Sequence, residues 1–76
     1  MESEKFQLQG RAFKILRLDN GMKGVEVAKA LNLTKGMISL CETNKRRLSA
    51  TKTIEFLDLI GISEQQAKAF VEVVGH

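Results

Sequence analysis

The chain has 76 residues, of which 43% are hydrophobic, and a formal net charge of +3. This length predicts one small domain, and this hydrophobic share is typical of a folded chain rather than a disordered one. One cysteine excludes an internal disulfide, and with one histidine, His76, it provides too few ligands for a zinc cluster. Because neither a glycine-rich phosphate loop nor a Ser/His/Asp set is present, we expect no enzymatic activity and no cofactor.

The same sequence indicates where the protein acts. No apolar run is longer than three residues, far short of a membrane-spanning helix. The first residues, MESEKF, contain no apolar stretch, so a secretory signal is not expected. Together with the unpaired cysteine, these features favour a cytoplasmic protein without a membrane partner.

The charges are unevenly distributed along the chain. Residues 23–52 carry seven basic and two acidic residues, whereas residues 53–76 carry four acidic residues and one lysine. A basic middle followed by an acidic end favours a surface that binds a polyanion.

Hydrophobic residues recur at helical spacing throughout, and proline is absent. The sequence therefore predicts an all-α fold, a compact bundle of about five short helices. The first helix is predicted over about residues 3–20 and the second over residues 24–31. Asn20-Gly21 and Asn32 are their expected stops, because glycine and asparagine accept a left-handed backbone.

Thr34 is a suitable N-cap for a third helix that ends near Thr43, because its hydroxyl can accept a hydrogen bond from an unpaired amide of the first turn. Asn44 is the expected stop of this helix. Only about three residues separate the second and third helices. So short a connection indicates a helix-turn-helix, although a plain helical bundle has helices of the same lengths.

Two further helices complete the prediction. Ser49 can cap a fourth helix over about residues 50–60, which Gly61 closes. Its expected buried residues are Ile54, Leu57 and Ile60. Ser63 and Gln66 match a capping box for a fifth helix over about residues 64–74.

Several residues in the middle of the chain follow one another in an order and spacing found in a known family. They are Arg17, Gly21, Val27-Ala28, Leu31, Leu33-Thr34, Ile38-Ser39, Glu42, Lys45-Arg46, Ser49 and Leu59-Ile60-Gly61. Through them, residues 16–63 resemble the Cro and phage-repressor type of helix-turn-helix domain, the XRE family. The resemblance implies a lambda-repressor-like bundle and a DNA-binding transcriptional regulator of bacterial or phage type, most simply a repressor.

The resemblance also implies roles for individual residues. The third helix would enter the major groove, and the basic stretch after it would lie along the phosphate backbone. The base-reading positions are Lys35, Gly36, Ser39, Leu40 and Thr43. The phosphate-contacting positions are Lys23, Gly24, Thr34, Asn44, Lys45, Arg46, Arg47 and Lys52. Arg17 and Glu42 occupy the places of a structural ion pair.

The chain departs from the family pattern at the start of the second helix, and Thr43-Asn44 replaces the usual Asn-Gly after Glu42. Lys23 and Gly24 replace the usual Ser or Thr followed by Gln, so the side-chain cap and the amide contact to phosphate are lost there, although open backbone amides can bind phosphate. On the predicted reading face, Gly36 indicates either a steric need, because glycine lets backbone or a neighbouring residue approach closely, or simply a position near the helix end.

The predicted reading face has one lysine and no Arg, Asn or Gln, so we expect modest specificity from one copy. A homodimer on a two-fold symmetric operator would double the contacts. Its surface is predicted on the fifth helix at Phe70, Val73 and Val74, where core packing is the alternative. Two other functions remain open: a protein-interaction module such as an antirepressor or adaptor, and an antitoxin or restriction-modification controller. Cys41 is expected to be a buried packing residue.

Overall fold

The computed structural model describes residues 6–75, and within this range it contains five α-helices and no β-strand. The helices are α1 (Gly10–Asp19), α2 (Gly24–Ala30), α3 (Lys35–Glu42), α4 (Ala50–Ile60) and α5 (Glu64–Val74). The radius of gyration is 11.3 Å, close to the value of about 11 Å for a folded chain of this length. The predicted all-α fold is confirmed. Among residues 6–75, no helix has both the length and the apolar character needed to cross a bilayer.

Three helices begin at a hydroxyl side chain, as predicted. The Oγ atoms of Thr34, Ser49 and Ser63 each accept a hydrogen bond of 3.1 Å from the backbone N three residues later. The side-chain Oε1 of Gln66 accepts a hydrogen bond of 2.9 Å from the backbone N of Ser63, which completes the predicted capping box. Local side-chain chemistry thus determines where α3, α4 and α5 start.

The predicted helix stops are confirmed as well. Asn32, Asn44 and Gly61 have left-handed backbone, with φ of 59°, 65° and 74°. A residue with this backbone cannot continue an α-helix, so each chain segment turns away at that point.

The first helix is shorter than predicted. Residues 6–9 are not helical, and α1 begins at Gly10, where φ is 68°; the predicted start at residue 3 lies outside the described residues. Leu8 is fully buried nevertheless. Its backbone N donates to Oγ1 of Thr53 at 3.0 Å, and its carbonyl accepts from the backbone N of Leu48 at 3.1 Å. The segment is therefore tied to α4 and to the connection before it, instead of continuing the helix.

The inward face of α4 also differs from the prediction. Ile54, expected in the core, is 50% exposed, whereas Thr53 and Phe56 are fully buried beside Leu57. The Thr53 hydroxyl has a partner in the buried backbone of Leu8, and a buried polar group is tolerated when it is hydrogen-bonded. Phe56 packs edge-to-face on Phe13 of α1, with ring centroids 4.9 Å apart.

The second and third helices form one packed unit. α3 packs on both α2 and α1, and the buried side chains of Val27, Ala28, Ile38 and Cys41 all belong to the core. In the connection between them, the backbone N of Leu33 donates to the carbonyl of Ala28 at 2.8 Å. Packing of one side of α3 leaves its opposite side in contact with solvent.

Candidate nucleic-acid interface

The outer face of α3 contains all five residues predicted to read bases. They are Lys35, Gly36, Ser39, Leu40 and Thr43, and all are exposed. Ile38 and Cys41, on the opposite side of the helix, are 2% and 0% exposed. Because successive residues are rotated by about 100° around an α-helix, the five exposed positions lie on one continuous face.

The polar chemistry of this face is limited. Lys35 offers an ammonium donor and Ser39 a hydroxyl, whereas Leu40 is a large apolar side chain that is 38% exposed. The Thr43 hydroxyl is directed at the carbonyls of Ser39 and Leu40, at 3.0 and 3.2 Å. Its proton is therefore engaged within the helix, and only its lone pairs remain for a partner. Lys35 and Ser39 are therefore the residues of this face whose side chains offer donors to a partner.

Glycine is not required at two helical positions by the fold itself. A Cβ atom added at Gly36 would have Oγ1 of Thr34 as its nearest neighbour at 3.9 Å, and one added at Gly24 would have Cγ2 of Ile38 at 3.9 Å. Both are ordinary van der Waals distances, and neither glycine has a positive φ. Crowding within the protein therefore does not explain why residue 36 is a glycine. Two explanations remain: close approach of an external surface, or the low cost of glycine at the second position of α3.

Residues 44–47, called the basic loop here, follow α3 directly and are all exposed. The backbone N atoms of Lys45 and Arg46 both donate to the carbonyl of Leu40, at 3.0 and 3.2 Å. At the other end, Leu48 is 1% exposed and its N donates to the carbonyl of Leu8. Both ends of the basic loop are therefore anchored to the folded domain.

The cations of the basic loop face solvent without an acidic partner. Within residues 6–75, the ion pairs are Arg17–Glu42 and Lys52–Glu55, and neither involves this loop. Lys45, Arg46 and Arg47 also lie beyond the carboxyl end of α3, where positive charge is favoured by the helix dipole. Three exposed, positively charged side chains therefore extend from a backbone that is hydrogen-bonded to the domain at both ends.

The predicted ion pair between Arg17 and Glu42 is present. Arg17 donates through Nε to Oε2 of Glu42 at 2.5 Å and through Nη2 to Oε1 at 3.2 Å. Its Nη1 donates to the carbonyl of Met22 at 2.9 Å. The two side chains are 11% and 12% exposed. Arg17 therefore joins α1, the connection to α2 and the last residue of α3, which fixes the direction of α3.

The start of α2 retains part of a capping arrangement. Lys23 occupies the cap position without a side-chain acceptor, but Oε1 of Glu26 accepts a hydrogen bond of 2.7 Å from its backbone N. The predicted loss of the side-chain cap at this corner is confirmed; Glu26 binds the backbone N of Lys23 instead of an amide of the first turn. The seven residues of α2 give its N-terminus a weaker dipole for binding phosphate than a long helix has.

Lys52 is directed into the protein rather than towards a phosphate. Its Nζ donates to the carbonyl of Leu31 at 2.7 Å and to Oε1 of Glu55 at 3.4 Å. An ammonium held by two oxygen atoms of its own domain does not extend outward with the basic loop. The phosphate contact at Lys52 stays a prediction, and in the free protein the ammonium has these two intramolecular partners.

The residues of the predicted dimer surface are divided between core and solvent. Phe70 and Val74 are partly buried and pack against the core, whereas Val73 is 84% exposed. Of the three predicted residues, Val73 is the one that a second copy can reach freely.

Cys41 is fully buried, as expected of a packing residue. Burial raises the pKa of its thiol; nearby Arg46 partly opposes this shift and Glu42 adds to it. The thiol is therefore protonated and unreactive near neutral pH. Among residues 6–75, no three His, Cys, Asp or Glu side chains are grouped as metal ligands; His76 lies outside the described residues.

No family model matches the chain, and no match is found among curated proteins or solved structures. The resemblance to the XRE family therefore remains a prediction from the residues of this sequence.

Proposed function

We propose that this protein is a sequence-specific DNA-binding transcriptional regulator, a repressor of the phage or bacterial XRE type, which acts in the cytoplasm without a catalytic step. The observation that carries the proposal is the juxtaposition of an exposed face of α3 with an anchored basic loop at its end. α3 enters the major groove, and Lys45, Arg46 and Arg47 contact the phosphates at its edge. A B-DNA major groove about 12 Å wide accommodates one α-helix.

Affinity and specificity come from different parts of this surface. The basic loop supplies the sequence-independent attraction, because phosphate contacts release counterions. Asn44, Thr34 and Lys23 border the same surface and add to its phosphate contacts. On the outer face of α3, the Lys35 ammonium can donate to guanine O6 and N7, and Leu40 can contact a thymine methyl group.

A second copy compensates for the few polar groups on α3. Each well-placed bidentate contact contributes about 1–3 kcal/mol of discrimination, and α3 has no Arg, Asn or Gln on its outer face. Two copies related by two-fold symmetry read two half-sites about one helical turn apart. Val73, 84% exposed on α5, lies in the contact between them.

The salt dependence of DNA binding tests the proposal. Fluorescence anisotropy with short duplexes is measured between about 50 and 200 mM salt for the wild type and for the triple variant Lys45→Gln, Arg46→Gln, Arg47→Gln. Loss of three phosphate contacts should make the negative slope of log K against log salt shallower by about 2.7, at about 0.9 per contact. The matched control replaces three exposed cations outside the basic middle of the chain, Arg11, Lys14 and Lys68, by Gln and keeps most of the slope. Absence of binding at micromolar protein, or an equal loss of slope in both triple variants, would refute the proposal.

One observation favours a second candidate, a protein-interaction module such as an antirepressor. Two side chains, Lys35 and Ser39, carry the donors on the outer face of α3, and Leu40 makes its centre apolar. A protein partner would use this face, so regulation in cells would survive the triple Gln change in the basic loop. Under the DNA-binding proposal, that change abolishes regulation.

A further inference from the structure

Lys52 occupies an unusual place for a lysine. It lies in the first turn of α4, which begins at Ala50, and the positive end of a helix dipole disfavours a cation there. Its side chain is 30% exposed, and its Nζ is 2.7 Å from the carbonyl oxygen of Leu31. The contact with Glu55 is longer, at 3.4 Å. The contact with the carbonyl of Leu31 is thus the shorter of the two.

The acceptor belongs to the other end of a different helix. Leu31 is the C-cap of α2, and the last carbonyls of a helix lack intrahelical partners and carry partial negative charge. The ammonium of Lys52 thus lies at the negative end of the α2 dipole, which favours it, and near the positive end of the α4 dipole, which does not. The contact joins residues that are 21 positions apart in the sequence.

The segment enclosed by this contact is the candidate interface. α3 and the basic loop both lie between Leu31 and Lys52. The backbone of α4 lies closest to α5, whereas α3 packs on α1 and α2. The buried side chains of α4, Phe56 and Leu57, belong to the same core as Leu31. The hydrogen bond from Lys52 therefore adds a polar contact between α4 and the end of α2 at the edge of this shared core.

We propose that Lys52 is a positioning residue that holds the carboxyl end of α2 against α4, and so helps to fix the end of the basic loop next to α4 relative to α2 and α3. It acts on DNA binding through this geometry and not through a phosphate contact. The proposal rests on the proposed function, but the contact itself can be tested in the free protein.

Hydrogen exchange tests the tie without DNA. Lys52→Met keeps the aliphatic stem and removes the ammonium. The amides of Leu31 and Leu33, which donate to Val27 and Ala28 within this corner, should exchange about five- to tenfold faster relative to α5 amides of the same variant, as expected for a partly exposed hydrogen bond to a charged group. Lys52→Arg should restore much of the protection, because a guanidinium can donate to the same carbonyl. Glu55→Gln is the control, because it leaves the Leu31 contact in place.

The salt slope of DNA binding then separates positioning from phosphate contact. With Lys52→Met, affinity should fall while the slope of log K against log salt stays unchanged. Lys45→Met, the matched control in the basic loop, should reduce the slope by about 0.9 and leave exchange at Leu31 and Leu33 unchanged. If Lys52→Met does not fold, Lys52→Gln serves the same comparison.

Two results would overturn the inference: a slope reduced by about 0.9 in Lys52→Met, or unchanged exchange at Leu31 and Leu33. If the wild type does not bind DNA at all, the proposed function fails. Exchange at the two amides alone then decides whether Lys52 holds α2.

Discussion

Arg17 and Glu42 should stabilise the protein as a pair, so that the effects of replacing them on the free energy of unfolding are not additive. In the variant Arg17→Met, the Glu42 carboxylate loses its partner while its side chain is 12% exposed. Loss of one partner from a fully buried pair costs about 3–5 kcal/mol, and limited access of water places this variant near 3 kcal/mol. Loss of the donor to the Met22 carbonyl acts in the same direction.

The complementary variant, Glu42→Gln, keeps the shape of the side chain and the contact between Arg17 and Met22, so we expect a loss of about 2 kcal/mol. In the double variant neither charge remains without a partner. The double variant should therefore lose about 2 kcal/mol less free energy of unfolding than the two single variants lose together, a coupling within the range for residues in direct contact.

Urea and thermal unfolding followed by far-UV circular dichroism measure these differences, since the chain has no tryptophan or tyrosine for a fluorescence signal. A loss of 3 kcal/mol lowers Tm by about 12 °C or more in a domain of this size. Additive losses, within about 0.3 kcal/mol, would show that Arg17 and Glu42 are not coupled and would refute the reasoning.

Three further perturbations test other parts of the structure. Thr53→Val removes the acceptor of the buried Leu8 amide and should cost about 1–3 kcal/mol in urea unfolding; unaltered exchange of that amide would contradict this. Burial raises the pKa of Cys41 in the folded protein, so above about pH 8.5 the thiol ionises in the unfolded chain while it stays protonated in the folded one. The free energy of unfolding should therefore fall as the pH rises from about 8.5 towards the folded pKa. Urea unfolding measured from pH 7 to 10 should show this fall in the wild type but not in Cys41→Ala, and the same pH dependence in both proteins would argue against it. Gly36→Ala should raise Tm, with a gain of about 0.5–1 kcal/mol, because the added methyl group meets only Thr34 at 3.9 Å; a lower Tm would reveal a steric need.

The features that the sequence predicted well depend on residues a few positions apart. Thr34 and Ser63 cap helices through amides three residues later, and Asn44 ends α3 through its own backbone conformation. The outer positions of α3 were implied by the resemblance to a family. The ion pair between Arg17 and Glu42 spans 25 residues and was predictable only through the resemblance to a family.

The features that it missed depend on distant partners. Leu8 fits the spacing of the first helix, but its backbone is paired with Leu48 and Thr53, 40 or more residues away. In α4, apolar residues occupy so many positions, Ile54 among them, that the periodic pattern does not determine which arc is buried. The hydrogen bond from Lys52 to the carbonyl of Leu31 joins residues 21 positions apart, and no local pattern around Lys52 indicates it.

The central claim is that α3 and the basic loop of this protein read a DNA sequence. Selection of bound duplexes from a random DNA library, with the full chain immobilised, tests this claim most directly. We predict enrichment of one motif with two-fold symmetry, whose half-sites are about one helical turn, roughly 34 Å, apart. The Gln variant of Lys45, Arg46 and Arg47 should recover little DNA. A library that remains random after repeated selection with the wild type would contradict the account.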